Sequence, residues 1–338
     1  MQVAAAPPQK HVFVFGLGYV GAGLASYLKH LQDDDTEWVV NGTTRSSASK
    51  QELNCIGMEA FQFSSSESGL SDEIQEALQK STHVLSTVGP SIIDQNNSKD
   101  PVLDAVERCD LELGSIEWMG YISSTGVYGD WDGDWVDERS SMFTQTGRGK
   151  ARIAAENQWR EFSTQRNLQL DVFRLGGIYG PGRNLFEALS SKNLLSSQSR
   201  RLQQRYTNRC HLLDVCRALH SAMIMGDAKG NTYNVVDDNP APRSEVQPFA
   251  QSLLKKDPAR FRYDKFPAQK SGIPQRKEKR EPDRKSNLTS VASRRTLEEK
   301  RVRNDKVKAL MQGLEFPTCV EGLTAIWQGD FRPFSYDR

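Results

Sequence analysis

HVFVFGLGYVGAGLASYLKHL, residues 11–31, begins as a strand and continues as a helix. The apolar run His11–Phe15 has the length and composition of a strand buried on both faces. Beyond it Val20, Leu24, Tyr27, Leu28 and Leu31 recur at helical spacing. Between the two lies Gly16-x-Gly18-x-x-Gly21. In a strand–turn–helix context the first glycine makes the tight turn and the second lets the backbone approach a pyrophosphate. The third brings helix and strand close together. The helix start then offers free N–H groups and a positive dipole end to an anion. The residues expected to hold a dinucleotide here are Gly16, Leu17, Gly18, Tyr19, Val20 and Gly21.

Outward from this loop, strand and helix patterns alternate. Glu37–Thr44 reads as a second strand and 58–63 as a third. Ser71 caps a helix with Asp72 and Glu73 in its first turn. Residues 83–89 form the fourth strand, 116–124 the fifth and 168–176 the sixth, with helices over Pro101–Leu113 and Lys150–Phe162 between them. Parallel strands need long return connections, so this alternation predicts an α/β fold with a doubly wound, mostly parallel Rossmann sheet. The ligand crevice then lies at the C-terminal strand ends. After residue 176 the pattern loosens. Residues 176–183 read as a loop, 211–223 as a helix, 231–236 as a strand and Thr296–Met311 as a charged helix. The expected organisation is a disordered tail over 1–10, a nucleotide-binding domain over 11–176 and a smaller substrate subdomain over 177–338. The subdomain returns elements to the sheet and carries a basic, partly disordered insertion at about 265–295.

At 338 residues the chain is long enough for about two domains. Lys and Arg total 44 against 43 Asp and Glu, but residues 251–310 hold 19 basic and 8 acidic side chains, which the rest of the chain offsets. Neither aromatic interleaving nor an RNA-binding signature accompanies this basic stretch, so nucleic acid is not expected as a partner. No run reaches the roughly 18 to 20 apolar residues of a membrane helix. The five cysteines are scattered without a CxxC pair, which argues against a disulfide scaffold or zinc ribbon. Met1–Lys10 lacks the apolar core of a secretory signal and the Arg-rich helix of a transit peptide. The expected protein is soluble, in an intracellular reducing compartment: cytoplasmic, or organellar after removal of a transit peptide.

The second strand ends Asn41-Gly42-Thr43-Thr44-Arg45. An acid there would accept hydrogen bonds from a ribose 2′-hydroxyl, and it would repel a 2′-phosphate. Arg45 with the two hydroxyls of Thr43 and Thr44 instead suits a phosphate, so NADP is the expected cofactor, with NAD as the alternative. Val88 and Gly89, at the end of the fourth strand, border the same crevice.

The segment Tyr121-Ile-Ser-Ser-Thr-Gly-Val-Tyr-Gly129, together with the glycine loop, resembles the extended short-chain dehydrogenase/reductase family. Residues 174–183 (RLGGIYGPGR), 209–215 (RCHLLDV) and 233–240 (YNVVDDNP) resemble later segments of the same family. The acidic stretch 129–138 and GRGKARIAAE (147–156) look closer to its atypical subgroup, part of the NAD-dependent epimerase/dehydratase superfamily, which includes the bacterial YeeZ proteins. The resemblance spans roughly residues 11–240 and 296–328. It implies that Ser124 orients a substrate oxygen, since a hydroxyl both donates and accepts. It also implies a Tyr-x-x-x-Lys acid/base pair on the next helix, and here the sequence departs. Aligned on Ala155-Glu156, Arg148 stands at the Tyr position and Arg152 at the Lys position; shifted by two to use Lys150, Thr146 stands at the Tyr position, and neither register supplies a tyrosine. Arginine stays protonated and cannot shuttle a proton, whereas Arg152 can still contact ribose or phosphate.

Tyr128, four residues beyond Ser124, and Tyr179, in the glycine-rich loop, are the alternative proton donors. Trp131 and Trp135 are candidates for a lid. Arg174, Tyr179, Arg183, Arg209 and His211 are the candidates on the substrate side, where guanidinium groups suit phosphate oxygens. Cys210-His211 and Cys216 are split by the helix that follows, and no metal is expected. The resemblance implies an NAD(P)-dependent oxidoreductase or epimerase-like enzyme for a small or nucleotide-linked alcohol or carbonyl, and a homodimer as relatives often form. The missing tyrosine favours the other reading, a catalytically impaired NADP(H)-binding protein with a redox-sensing or regulatory role.

Overall fold

The computed structural model describes residues 8–31, 36–55, 57–64, 69–90, 99–109, 111–190, 203–225, 230–257 and 298–335. In chain order the first half contains β1 (Gln9–Phe15), α1 (Tyr19–Lys29), β2 (Glu37–Thr44), α2 (Ser47–Cys55), β3 (Glu59–Gln62), α3 (Asp72–Gln79), β4 (His83–Ser86), α4 (Pro101–Glu107) and β5 (Trp118–Ser124). A 3-10 turn over Thr125–Tyr128 follows, then β6 (Trp135–Val136), α5 (Gly147–Gln165) and β7 (Leu170–Leu175). The remaining elements are β8 (Gly177–Tyr179), α6 (Leu185–Ser190), β9 (Arg209–His211), α7 (Leu212–Met225), β10 (Thr232–Val235), α8 (Arg243–Lys256), β11 (Arg301–Val302), α9 (Asp305–Met311) and α10 (Cys319–Gln328).

Seven strands form one parallel sheet in the order β3-β2-β1-β4-β5-β7-β10. The chain winds outward from β1 to β3, then returns to the other side of β1 with β4. That reversal opens a crevice at the C-terminal ends of β1 and β4. Both faces of the sheet are covered, which explains the unbroken apolar run of β1. Val12 and Val14 pack on one face with Leu24, Leu28 and Leu219 from α1 and α7. Phe13 and Phe15 pack on the other with Val102, Trp159 and Phe162 from α4 and α5. A separate apolar cluster joins Tyr179, Phe186, Val246, Leu323 and Ile326, drawn from the part of the chain beyond β7.

Several boundaries differ from the sequence expectation. Gln9 and Lys10, assigned to the tail, pair with Glu37 and Trp38 as the first residues of β1. Residues 177–179, read as loop, pair in parallel with β9. The helix expected over Thr296–Met311 begins only at Asp305. Before it the backbone is extended, because Glu299 O accepts from Trp131 N and Gly133 N, and Val302 pairs with Val136. Helices α8 and α10 had no sequence reading. The expected disorder at about 265–295 lies outside the described residues.

Candidate functional site

The Gly16–Gly21 loop is shaped by its glycines. Gly16 has φ +95°, a conformation that disfavours any Cβ, and a Cβ there would lie 2.6 Å from Thr87 Oγ1. A Cβ on Gly21 would lie 2.4 Å from Gly16 O, so helix and turn touch backbone to backbone. Gly18, the N-cap of α1, has nothing within 4 Å of a Cβ position and faces open space. Two threonines lock the loop. Thr43 Oγ1 accepts from Gly16 N at 3.0 Å, and Thr43 O accepts from Leu17 N at 2.6 Å. Thr87 Oγ1 donates to Gly16 O at 2.7 Å. The arrangement fits a pyrophosphate: a tight turn, a helix start and an unobstructed approach at the middle glycine. Leu17 is buried, and Tyr19 closes one side of the loop with its hydroxyl donating to Pro181 O at 2.9 Å.

At the end of β2, Thr44 is half-buried and Arg45 exposed. Arg45 makes no hydrogen bond or ion pair with the described residues, and Ser46 Oγ caps the following turn by accepting from Ser49 N. Among residues 41–48 no acid intrudes. Val88 and Gly89 continue β4 along the floor of the crevice, with Val88 packed against Gly16.

Ser124 ends β5 half-buried, and its Oγ accepts from Gly126 N at 3.1 Å. That bond uses the oxygen and leaves the hydroxyl proton free to donate. Arg152 lies on α5, whose start is capped by Thr146 Oγ1 accepting from Gly149 N. Its guanidinium donates to Ile122 O at 2.9 Å and reaches Gly89, so it spans the ends of β4 and β5. Arg148, at the position of the absent tyrosine, is exposed.

Other candidates lie elsewhere, and burial is the reason. Tyr128 is wholly buried, its hydroxyl donating to Asn234 Oδ1 at 2.7 Å and accepting from Arg174 Nη1 at 2.9 Å. Burial pushes its phenol up to about 12, so it is not a poised proton donor. Arg174 is also buried, forked onto Glu156 at 2.8 and 3.1 Å, with Ser123 Oγ donating to the same carboxylate. It serves the core rather than a substrate. Tyr179 is buried against Gly322 and Thr318 of the α10 start. His211 is buried between Tyr179 and Phe316, its Nδ1 accepting from Leu213 N, and burial lowers its pKa to about 3. Arg209 is half-buried and donates to the carbonyls of Thr207 and Ala241. Of the substrate-side candidates, Arg183 alone is exposed, its guanidinium over the Tyr19 ring at 5.4 Å. Trp135 is exposed between Arg301 and Arg303, and Trp131 packs on Phe143. No group of three His, Cys, Asp or Glu side chains among the described residues is set to hold a metal ion, and none of their helices is long and apolar enough to cross a membrane.

Sequence reasoning assigned the Thr43 hydroxyl to a 2′-phosphate, whereas that oxygen accepts from Gly16 N, and gave no role to Thr87; these two residues fix the loop. Both stand at strand ends facing the glycines, a placement that the strand assignments already contained. It also passed over Glu187, which accepts from Asn184 N and is pushed up to about 7 by burial.

No family model matches the chain, and no curated protein matches it significantly. Solved structures do. A conserved protein of unknown function from Silicibacter pomeroyi is 30% identical, with a TM-score of 0.67 over 95% of this chain and 99% of that one. UDP-glucuronic acid 4-epimerase from Bacillus cereus in complex with NAD has a TM-score of 0.64 at 14% identity, over 94% and 96%. dTDP-glucose 4,6-dehydratase from Bacillus anthracis in complex with NAD has a TM-score of 0.66 at 13% identity, over 94% and 96%. The last two share the fold. The chain belongs to one family with the Silicibacter pomeroyi protein and shares its fold with the NAD-bound epimerase and dehydratase.

Proposed function

We propose that the protein is an NADP(H)-dependent oxidoreductase or epimerase-like enzyme acting on a small or nucleotide-linked alcohol or carbonyl, with NAD as the alternative cofactor. The observation that carries this reading is the open face of Gly18 at the start of α1, the helix that follows the glycine loop at the C-terminal end of β1. Two fold relatives bound to NAD support a dinucleotide in this crevice. Gly18 and the α1 start hold the pyrophosphate. Arg45 and Thr44 take a 2′-phosphate, and Arg152 contacts the nicotinamide ribose. The bound nicotinamide supplies a hydride donor or acceptor. Ser124 donates its hydroxyl proton in a hydrogen bond to the substrate oxygen and holds the reacting carbon at the ring. Water, rather than a phenol, exchanges the substrate proton.

The test is a panel of nucleotide-linked and simple alcohols and carbonyls incubated with the NADP+- or NADPH-loaded protein, followed by nicotinamide absorbance and product analysis. A substrate is expected to turn over, and Ser124→Ala to lower that turnover by about 100-fold or more with cofactor affinity unchanged. Unchanged turnover in this variant contradicts the role of Ser124. A second reading, an NADP(H)-binding regulatory protein without turnover, is favoured by exposed Arg148 at the tyrosine position and by the burial of Tyr128 and Tyr179. Tight, redox-state-selective binding with no turnover across the panel would select it.

A further inference from the structure

Arg183 is exposed, and its side chain forms no hydrogen bond or ion pair with the described residues. Its guanidinium lies instead over the Tyr19 ring, with Cζ 5.4 Å from the centroid. Tyr19 is the first residue of α1, directly after Gly18, which leaves the helix start open. A cation from the part of the chain beyond β7 therefore stands beside the glycine loop.

A tight turn sets this placement. Gly180 and Arg183 exchange both backbone hydrogen bonds, at 3.0 and 3.1 Å. Pro181 and Gly182 form the two corners, with Gly182 at φ +72°, as a type II turn requires. The turn is fastened to the glycine loop at its first corner, where Pro181 O accepts from the Tyr19 hydroxyl at 2.9 Å. Only glycine permits that approach at position 180, because a Cβ there would lie 2.6 Å from the same hydroxyl oxygen. Beyond the turn, Asn184 Nδ2 donates back to Gly180 O at 3.1 Å, and Asn184 Oδ1 accepts from Phe186 N at 2.9 Å. Glu187, the acid of this stretch, accepts from Asn184 N and Nδ2 at 3.0 and 3.3 Å and leaves Arg183 unpaired. The backbone on both sides of Arg183 is thus held, while its charge has no partner.

We infer that Arg183 is a cofactor residue, whose guanidinium contacts the dinucleotide pyrophosphate at the α1 start and ties the chain beyond β7 to the bound cofactor. The inference rests on the dinucleotide reading given above and adds a residue to that site. A pyrophosphate is a dianion, whereas a helix start offers roughly half a positive charge. A further cation at this end of the crevice is therefore favourable, and the paired N–H donors of a guanidinium match phosphate oxygens. Arg45 and Arg183 then act on different parts of the cofactor, which makes their effects separable.

The test titrates the full chain and Arg183→Ala with NADPH, NADH and ADP-ribose, the last carrying the pyrophosphate without the nicotinamide. The side chain is exposed, so the substitution removes no buried packing, and urea midpoints check the fold. An equal loss of affinity for all three ligands, about 10-fold or more, is expected. Added salt is expected to weaken binding to the wild type more than to the variant, since a charge contact is screened. Unchanged affinity for all three overturns this inference alone, and so does an equal salt dependence. A loss confined to NADPH, or one absent with ADP-ribose, also overturns it, because Arg183 would then act on the 2′-phosphate or on the nicotinamide half. Absence of binding of all three by the wild type overturns the dinucleotide reading and this inference with it.

Discussion

Arg45 stands alone at the end of β2, and its charge has no carboxylate to answer among the described residues. A guanidinium–phosphate contact contributes about 1.5 to 3 kcal/mol when made to a charged group. Arg45→Ala is therefore expected to weaken NADPH binding by roughly 10-fold or more and to leave NADH nearly unchanged, as parallel titrations would read; equal losses contradict the 2′-phosphate role. Arg174 makes the contrasting case. Its charge is spent on Glu156, so Arg174→Ala leaves that buried carboxylate with only the Ser123 hydroxyl and a longer contact to Arg160 at 3.5 Å. The expected cost is about 3 to 5 kcal/mol, read as a fall in the denaturant midpoint. The sequence placed Arg45 just past a hydroxyl-rich strand and Arg174 inside an apolar one, but both were read as phosphate-binding charges. Arg45 lies one residue past its strand, in solvent. Arg174 lies within β7, where the sheet is covered on both faces, and only its pairing with Glu156 makes that position tolerable. The same limit explains Tyr128 and His211: motif position located their backbones correctly but not the direction of their side chains.

At the scale of elements, the strand–turn–helix from Gln9 to Lys29 was legible because each glycine has its own steric reason. Those reasons separate experimentally. Gly18→Ala adds a methyl group into open space, so stability is expected to stay within about 0.5 kcal/mol while NADPH binding drops. Gly21→Ala drives a methyl group into Gly16 O and is expected to cost about 1 to 3 kcal/mol, measured by urea denaturation. A stable Gly18→Ala that binds NADPH normally contradicts the pyrophosphate assignment. The segment before Asp305 was illegible for the opposite reason. Its charges mimic a solvated helix, but Lys300 Nζ donates to Gly129 O and Asn208 Oδ1 accepts from Val302 N, contacts from distant parts of the chain that pull the backbone straight. No local pattern encodes partners 90 or more residues away.

For the whole molecule, burial of ionisable groups sets the pH response. His83, packed between Trp38 and Trp118 at the start of β4, is lowered by burial to about 4. Its folded pKa lies below its unfolded one, so between pH 6.5 and 4 the unfolded chain binds more protons and stability falls as pH drops. From neutral pH to pH 4 this group removes about 3 kcal/mol. Urea midpoints for the wild type and His83→Gln should therefore converge at low pH; parallel curves contradict the assignment. Asp100 and Glu187 act with the opposite sign, because they keep their protons to about 6 and 7 when folded, so the variant difference is needed to isolate the histidine. The doubly wound parallel sheet and a crevice at its C-terminal strand ends followed from strand–helix alternation, while the reaction did not, because the sequence supplies no tyrosine where the acid/base pair would stand. The most direct test of the account is a titration of the purified protein with NADPH and NADH, followed by nicotinamide fluorescence. Saturable binding that is tighter for NADPH is the expected result. Binding of neither dinucleotide would contradict the central claim.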